Sequence, residues 1–148
     1  MRRIPNEQFF LWVENEIAEG HSVRFRLRGD SMYPLLRNGL DEVILYTCKN
    51  KELKPMDIVL FRYKGKYLLH RIIKIDGNRL SMQGDGSIVA KEECIYSDVI
   101  GKVKAIVRPS GRIISLNSWQ WRFFSFLWRR LGIIRPIILK AIFKLKRL

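Results

Sequence analysis

Serine, histidine and aspartate occur in three short motifs whose residue types together suit acyl transfer. Ser31 lies in the run Gly-Asp-Ser-Met-Tyr-Pro, His70 is followed by an arginine, and Asp85 stands between two glycines. A serine hydroxyl is a poor nucleophile at neutral pH and becomes effective when a neighbouring group takes its proton. A carboxylate can in turn orient that base. The chain therefore carries the residue types of a Ser-His-Asp arrangement.

Two histidines are candidates for the base, and their surroundings distinguish them. His70 lies in the run 66–73, whose apolar, aromatic and β-branched residues predict a buried strand. A strand holds a base more rigidly than a loop does. His21 follows Glu19-Gly20, which reads as a turn, and we expect it to be exposed. The pattern favours His70.

Each motif also has a purely structural interpretation. A Ser-Met-x-Pro sequence is compatible with a simple turn because proline fixes φ. A histidine on a strand is commonly a satisfied polar group, and Gly84-Asp85-Gly86 suits a hairpin turn. Taken singly, each motif is better explained as structural. Their order and combination favour chemistry.

In that order, the motifs resemble those of the type I signal peptidases over residues 24–108. The matching segments are Ser31-Met32-Tyr33-Pro34, Pro55-Met56-Asp57-Ile58-Val59, His70-Arg71, Gly84-Asp85 and Gly101-Lys102-Val103. The resemblance implies that Ser31 is the nucleophile and that Asp85 is the third member of the site. It also implies that His70 is the base, as in the archaeal and endoplasmic-reticulum-like branch that uses histidine where other members use lysine.

Two positions depart from the family's pattern. Many members carry a hydroxyl residue two positions before the nucleophile, where it helps to hold the oxyanion, whereas this chain has Gly29. Oxyanion stabilisation then falls to backbone N–H groups around Ser31. Asp85 also lacks the asparagines that often follow it in the family.

Two other functions remain open beside the peptidase. The serine motif is equally similar to that of the LexA-like self-cleaving repressors, which share the fold but use lysine as the base. Only about two dozen residues precede the first predicted core strand, which is too few for a DNA-binding domain. The third alternative is a catalytically silent membrane-binding module on the same fold. The histidine base favours the peptidase.

The predicted fold is mainly β, a small antiparallel and partly closed domain. Short β-prone runs such as 23–27, 42–46 and 58–63 alternate with turn sequences. Residues 5–19 predict a helix that ends at Gly20. We therefore divide the chain into an N-terminal helix (1–20), a signal-peptidase-like β catalytic domain (21–115) and a C-terminal basic amphipathic helical appendage (116–148).

The C-terminal segment predicts association with a membrane surface. The chain has a net charge of +14, and no acidic residue occurs from Trp119 to Leu148. Ile138, Ala141, Ile142, Leu145 and Leu148 are predicted to share one helical face. No uncharged apolar run approaches the ~20 residues needed to cross a bilayer. We expect residues 117–148 to lie peripherally on anionic lipid, on either side of the membrane. Packing on the chain's own domain or on a partner protein is the alternative, and nucleic acid is less favoured.

The expected substrate is a peptide or pre-protein with a leader segment. The resemblance implies an extended segment docked beside the strand that follows Ser31, with small side chains near the scissile bond. No cofactor or metal is predicted, because Cys48 and Cys94 lack other ligands at zinc-binding spacing. Two free thiols are favoured over one disulfide.

Overall fold

Eight antiparallel strands and three α-helices are the main elements of the described part of the chain. The computed structural model describes residues 6–49, 52–87, 90–131 and 134–146. The elements are α1 (Asn6–Ala18), β1 (Val23–Arg26), β2 (Glu42–Tyr46), β3 (Ile58–Tyr63), β4 (Lys66–Asp76), β5 (Arg79–Gln83), β6 (Glu92–Ile95), β7 (Val99–Val107), β8 (Ile113–Ser115), α2 (Trp119–Arg130) and α3 (Ile134–Lys146). The prediction of a mainly antiparallel β fold with helices at both ends is confirmed.

The strands form one sheet in the order β1-β2-β7-β3-β4-β5-β6, with β8 paired to β7. β7 pairs with β2 along one edge, while its other edge pairs first with β3 and then with β8. Among the described strands, β1 and β6 remain the two ends of this order, so the sheet is not closed. β4, the strand that carries His70, lies inside the sheet between β3 and β5.

Both faces of the central strands are covered by apolar residues. Ile58 and Leu60 of β3 belong to a core cluster that also contains Val13 and Ile17 of α1, which we call the α1 core. The intervening Val59 and Phe61 belong to a second core together with residues of β4, β5 and β6. Because successive strand residues point to opposite faces, β3 is buried along both.

Helix α1 agrees with its prediction over the described residues. It ends before Gly20, whose φ of 87° is a conformation that glycine adopts without steric cost. The N–H of Gly20 donates to the carbonyl of Ile17 at 3.0 Å. Pro5, the predicted first residue, lies outside the described residues.

The two C-terminal helices predicted from the sequence are present, and α2 packs on the β domain, as one of the alternatives for this segment expected. The side chain of Ser118 accepts a hydrogen bond from the N–H of Trp121 and begins α2. Trp121, Ser125 and Trp128 form its buried stripe, and Trp121 is part of the α1 core. Leu139 of α3 has no exposed surface. The spacing of apolar residues predicts a stripe but not the surface that covers it.

The face predicted for α3 divides between inside and outside. Ile138 and Ile142 are partly buried, whereas Ala141 and Leu145 are exposed, and Leu148 lies outside the described residues. Over the described chain, no helix combines the length and the apolar content that a membrane span requires.

Candidate active site

Ser31 lies at the surface in the loop between β1 and β2, and neighbouring residues of this loop are buried in the core. Met32 and Leu36 are buried in the α1 core, and the N–H of Leu36 donates to the carbonyl of Met32 at 3.0 Å. The N–H of Tyr33 donates to the carbonyl of Asp30 at 3.0 Å. Ser31 itself is exposed between these fixed points. The local sequence therefore presents one hydroxyl on a rigidly held turn.

The segment Gly84–Gly86 lies directly against this loop. The N–H of Gly86 donates to the carbonyl oxygen of Ser31 at 2.8 Å. A Cβ atom at Gly84 would lie 2.2 Å from that oxygen and 3.2 Å from Cδ2 of His70, and one at Gly86 would lie 2.2 Å from the carbonyl oxygen of Asp30. Only glycine permits backbones to approach this closely. Gly84 thus brings the backbone of Ser31 and the imidazole of His70 together.

The Gly-Asp-Gly motif is not a tight hairpin turn. β5 and β6 pair with Met82 opposite Glu92, so β6 begins at Glu92 and not directly after Gly86. The motif is held by the Ser31 loop rather than by the strand ladder. The motif does form a β-turn, since the N–H of Ser87 donates to the carbonyl of Gly84 at 3.0 Å, but this turn does not join β5 directly to its partner β6.

His70 is buried on β4, opposite Val59 of β3. Its Nδ1 atom is hydrogen-bonded to the carboxylate of Glu92, the first residue of β6, which is also buried. The ring of Phe61 packs edge-to-face on the imidazole at 6.0 Å between centroids. Nε2 is bonded within the ring to Cδ2, the atom that faces Gly84. The imidazole therefore contacts a carboxylate through Nδ1, and its Nε2–Cδ2 edge faces the Ser31 loop.

Asp85 does not orient His70, contrary to the role that the resemblance implied. Its two carboxylate oxygens accept hydrogen bonds from Nε and Nη2 of Arg71 at 2.9 and 2.8 Å, and both side chains are almost wholly buried. Consecutive side chains on β4 point to opposite faces of the sheet, so the partner of Arg71 lies away from His70. The carboxylate at the imidazole is Glu92.

Sequence reasoning missed Glu92 because Lys91-Glu92-Glu93 reads as a charged surface segment. Alternation along β6 could have revealed it, since Glu92 shares a face with Cys94 and not with Glu93. Glu92 and Cys94 are buried, whereas Glu93 is exposed.

The segment before β3 fixes the part of β4 that carries these residues. The carbonyl of Met56 accepts a hydrogen bond from Nη1 of Arg71 at 2.8 Å. The N–H of Met56 donates to the carbonyl of Ile72 at 2.7 Å, and the N–H of Ile72 donates to the carbonyl of Asp57 at 2.8 Å. The Pro-Met-Asp-Ile-Val motif therefore clamps the strand beside His70.

Gly29 can supply neither a hydroxyl nor its amide to an oxyanion. Its φ is 89°, and its N–H donates to Oδ1 of Asn38 at 2.9 Å. The N–H of Tyr33 is also engaged within the turn.

Helices α2 and α3 border both loops. Nε1 of Trp128 donates to the carbonyl of Asp85 at 3.1 Å. Nζ of Lys146 lies 3.0 Å from Oδ1 of Asp30 and 4.0 Å from the centre of the Tyr33 ring. The phenyl ring of Phe143 also contacts Tyr33, with 5.8 Å between centroids. The C-terminal segment therefore forms part of the wall around the candidate site.

One described group of side chains has ligand atoms close enough for a metal ion. Glu16, Glu19 and His21 meet at the end of α1 with their ligand atoms within 4.8 Å of one another. His21 is exposed, as predicted, and its Nδ1 lies 2.9 Å from Glu16 and 3.7 Å from Glu19. These contacts account for the arrangement without a metal.

Both cysteines are free thiols. Burial raises the pKa of Cys48, and Glu52 raises it further. Burial raises the pKa of Cys94 to about 11, with a smaller contribution from Asp98. Neither thiol is poised to act as a nucleophile.

No protein-family model matches this chain, and no curated protein matches its sequence.

Proposed function

We propose that the protein is a serine endopeptidase in which Ser31 attacks the scissile carbonyl and His70 accepts its proton. The observation that carries the proposal is the close approach at Gly84, which joins the Ser31 backbone to the imidazole edge of His70. The hydrogen bond between Nδ1 and Glu92 supports it. With the proton held on Nδ1, Nε2 is the free acceptor that a general base needs.

The remaining groups take supporting roles in this mechanism. Glu92 replaces Asp85 as the carboxylate that orients the imidazole and stabilises its charged form. Asp85 and Arg71 instead fix the Gly84–Gly86 segment to β4. Because the N–H of Gly29 is occupied, the backbone N–H of Ser31 is the oxyanion donor in our proposal. His70 then returns the proton to the leaving amine.

We propose an extended peptide as substrate, with small side chains beside the scissile bond, as the resemblance to signal peptidases implies. Strand addition beside β2, the strand that follows Ser31, is blocked because β2 pairs with β1 and β7. β1 pairs only with β2 among the described strands and leads into the Ser31 loop. An extended substrate therefore adds to β1 in this proposal.

The decisive experiment measures cleavage of a set of leader peptides by the wild type, Ser31→Ala and His70→Ala. Both variants should lose activity, while Ser22→Ala, an exposed serine ahead of β1, should retain it. Full activity of Ser31→Ala, or a preference for bulky residues before the cut, would contradict the proposal. Cleavage of the chain itself, together with retention on DNA, would favour the LexA-like alternative. Absence of any Ser31-dependent cleavage would favour the silent module.

The outer face of α2 and α3 suits an anionic membrane surface. Trp119 is 73% exposed, and Phe123, Phe126 and Leu127 lie beside it at helical spacing and are also exposed. The exposed basic residues of these helices are Arg122, Arg130, Lys140, Lys144 and Lys146, of which Lys146 pairs with Asp30. Aromatic and basic side chains on one exposed surface match the apolar interior and anionic headgroups of a lipid interface. We therefore place the peptidase at a membrane surface.

Co-sedimentation with anionic and neutral vesicles tests this attachment. Changing Phe123 and Phe126 to serine should weaken binding to anionic vesicles by about tenfold or more. The matched control changes Leu11 and Trp12 to serine, which are equally exposed on α1 but lie on a helix whose charges are acidic. Equal binding by both variants would contradict the proposal. Dimerisation or nucleic-acid binding lost with the phenylalanine pair would identify another partner.

A further inference from the structure

A cluster of buried positive charge lies between the β domain and the C-terminal helices. Arg129 of α2 and Arg135 of α3 both donate to Oε1 of Gln83, at 2.8 and 3.3 Å. Gln83 lies opposite Arg71 in the β4–β5 ladder, on the face that carries Asp85. Two guanidinium groups thus share one neutral oxygen beside a third guanidinium.

The carboxylate of Asp85, which lies in this cluster, is already paired with an arginine. Both oxygens of Asp85 accept hydrogen bonds from Arg71. No acidic residue follows Asp98 in the sequence, so neither C-terminal helix supplies a counter-charge. Arginine also cannot relieve the excess by losing its proton at physiological pH. Three cations and one anion leave an excess positive charge.

Polar atoms in the cluster lack partners among the described residues. These buried atoms are Nη1 of Arg129, Nε of Arg135 and, one helical turn before Arg129, Oγ of Ser125. Arg135 is only 8% exposed, whereas Arg129 is partly exposed and connects the cluster to solvent. Burial lowers the pKa of Arg129, and the charge of Arg135 lowers it further. A buried charge without a counter-ion is strongly unfavourable.

We propose that a phosphate group binds between Arg129 and Arg135, next to Gln83. A tetrahedral oxyanion accepts several guanidinium hydrogen bonds at once and supplies the missing negative charge. The phosphate has two sources with the same chemistry: a free phosphate ion and the headgroup of an anionic lipid. Trp128 of the same helix holds the carbonyl of Asp85, so the bound group would also steady the Gly84–Gly86 segment.

Thermal unfolding of the full chain in sodium phosphate and in sodium chloride of equal ionic strength tests the site. Phosphate at about ten times its dissociation constant should raise the Tm by about 4 °C above the value in chloride. Short-chain phosphatidylglycerol below its micelle concentration forms the second arm. A shift with this lipid and not with phosphate identifies the headgroup as the source, and a shift with phosphate identifies the free ion. Equal Tm values in phosphate, lipid and chloride would overturn the proposal.

Variants of the arginines show which residues the rise in Tm depends on. Arg129→Gln and Arg135→Gln should lose the shift, whereas Arg79→Gln removes an exposed arginine from the same strand as Gln83 and should keep it. Loss of the shift in all three variants, or its retention in all three, would place binding elsewhere and overturn the proposal. If a glutamine variant does not fold, broadening of the ³¹P resonance by wild-type protein, and its absence with Arg129→Met, provides the second measurement. Broadening that persists with Arg129→Met would likewise count against the site.

Discussion

The imidazole of His70 is held by a carboxylate from a strand distant in sequence, and this contact is open to a direct test. We expect Glu92→Gln to lower kcat by about 10³-fold with little change in KM, because a neutral amide cannot stabilise the charged imidazole. Peptide-cleavage kinetics measure this change. The control is Glu93→Gln, which removes the same charge from the exposed face of β6. Equal kinetics for the two variants would show that Glu92 only fills space.

Asp85 has a different role, and its substitution should affect stability first. Asp85→Asn leaves the guanidinium of Arg71 buried without a charged partner, and we expect a loss of about 3–5 kcal/mol in the free energy of unfolding. Urea unfolding followed by tryptophan fluorescence measures this loss. The double variant Arg71→Met with Asp85→Leu should recover part of it, since apolar residues can replace a buried ion pair. Wild-type stability of Asp85→Asn would contradict this assignment.

At the scale of elements, the two faces of α2 have opposite surroundings. Trp121 is buried in the α1 core, whereas Trp119 is exposed on the outer face. We expect Trp121→Ala to cost about 3–5 kcal/mol of unfolding free energy and Trp119→Ala to stay within about 0.5 kcal/mol of wild type. Chemical denaturation of both variants checks this contrast. Equal, small losses would mean that α2 does not pack on the domain.

The elements themselves were largely predictable, while their packing was not. Alternating β-prone runs gave β1, β2 and β3, and the turn at Gly20 gave the end of α1. The inward face of α3 was not predicted, because apolar residues, of which Leu139 is one, occur on most sides of this helix. Periodicity indicates that a face is apolar, but the surface that covers it comes from tertiary structure.

For the candidate site, separate sequence motifs predicted some of the residues but not the contacts between them. Ser31 and His70 were identified from residue type and order, and in the structure the carbonyl of Ser31 and the imidazole of His70 both lie next to Gly84. The partners of His70 and Asp85 depend on which sheet face each strand presents and on the register of β5 with β6. These are long-range properties, so local spacing could not reveal that Glu92, and not Asp85, is the carboxylate beside His70.

At the scale of the whole molecule, the buried thiol of Cys94 should make unfolding depend on alkaline pH. Its pKa is about 11 in the folded chain against an ordinary 9.0. A thiol pKa that is raised by folding contributes its full stabilisation at pH values below the pKa of the unfolded chain. This stabilisation is lost as the pH rises towards the pKa of the folded chain. Between pH 8 and 10 the loss should be about 1 kcal/mol. Cys94→Ala should decline less over this range, and parallel declines would contradict the assignment.

The opposite directions of His70 and Arg71 make the site sensitive to insertions and deletions as well as to substitutions. One residue inserted in β4 ahead of His70 reverses the face of every later side chain, placing the histidine where Asp85 lies and the arginine in the second core. Two inserted residues restore the faces but move the imidazole about 6.6 Å along the strand, away from Gly84. The number of residues between the Lys64-Gly65 turn and His70 is therefore fixed as strictly as the histidine itself.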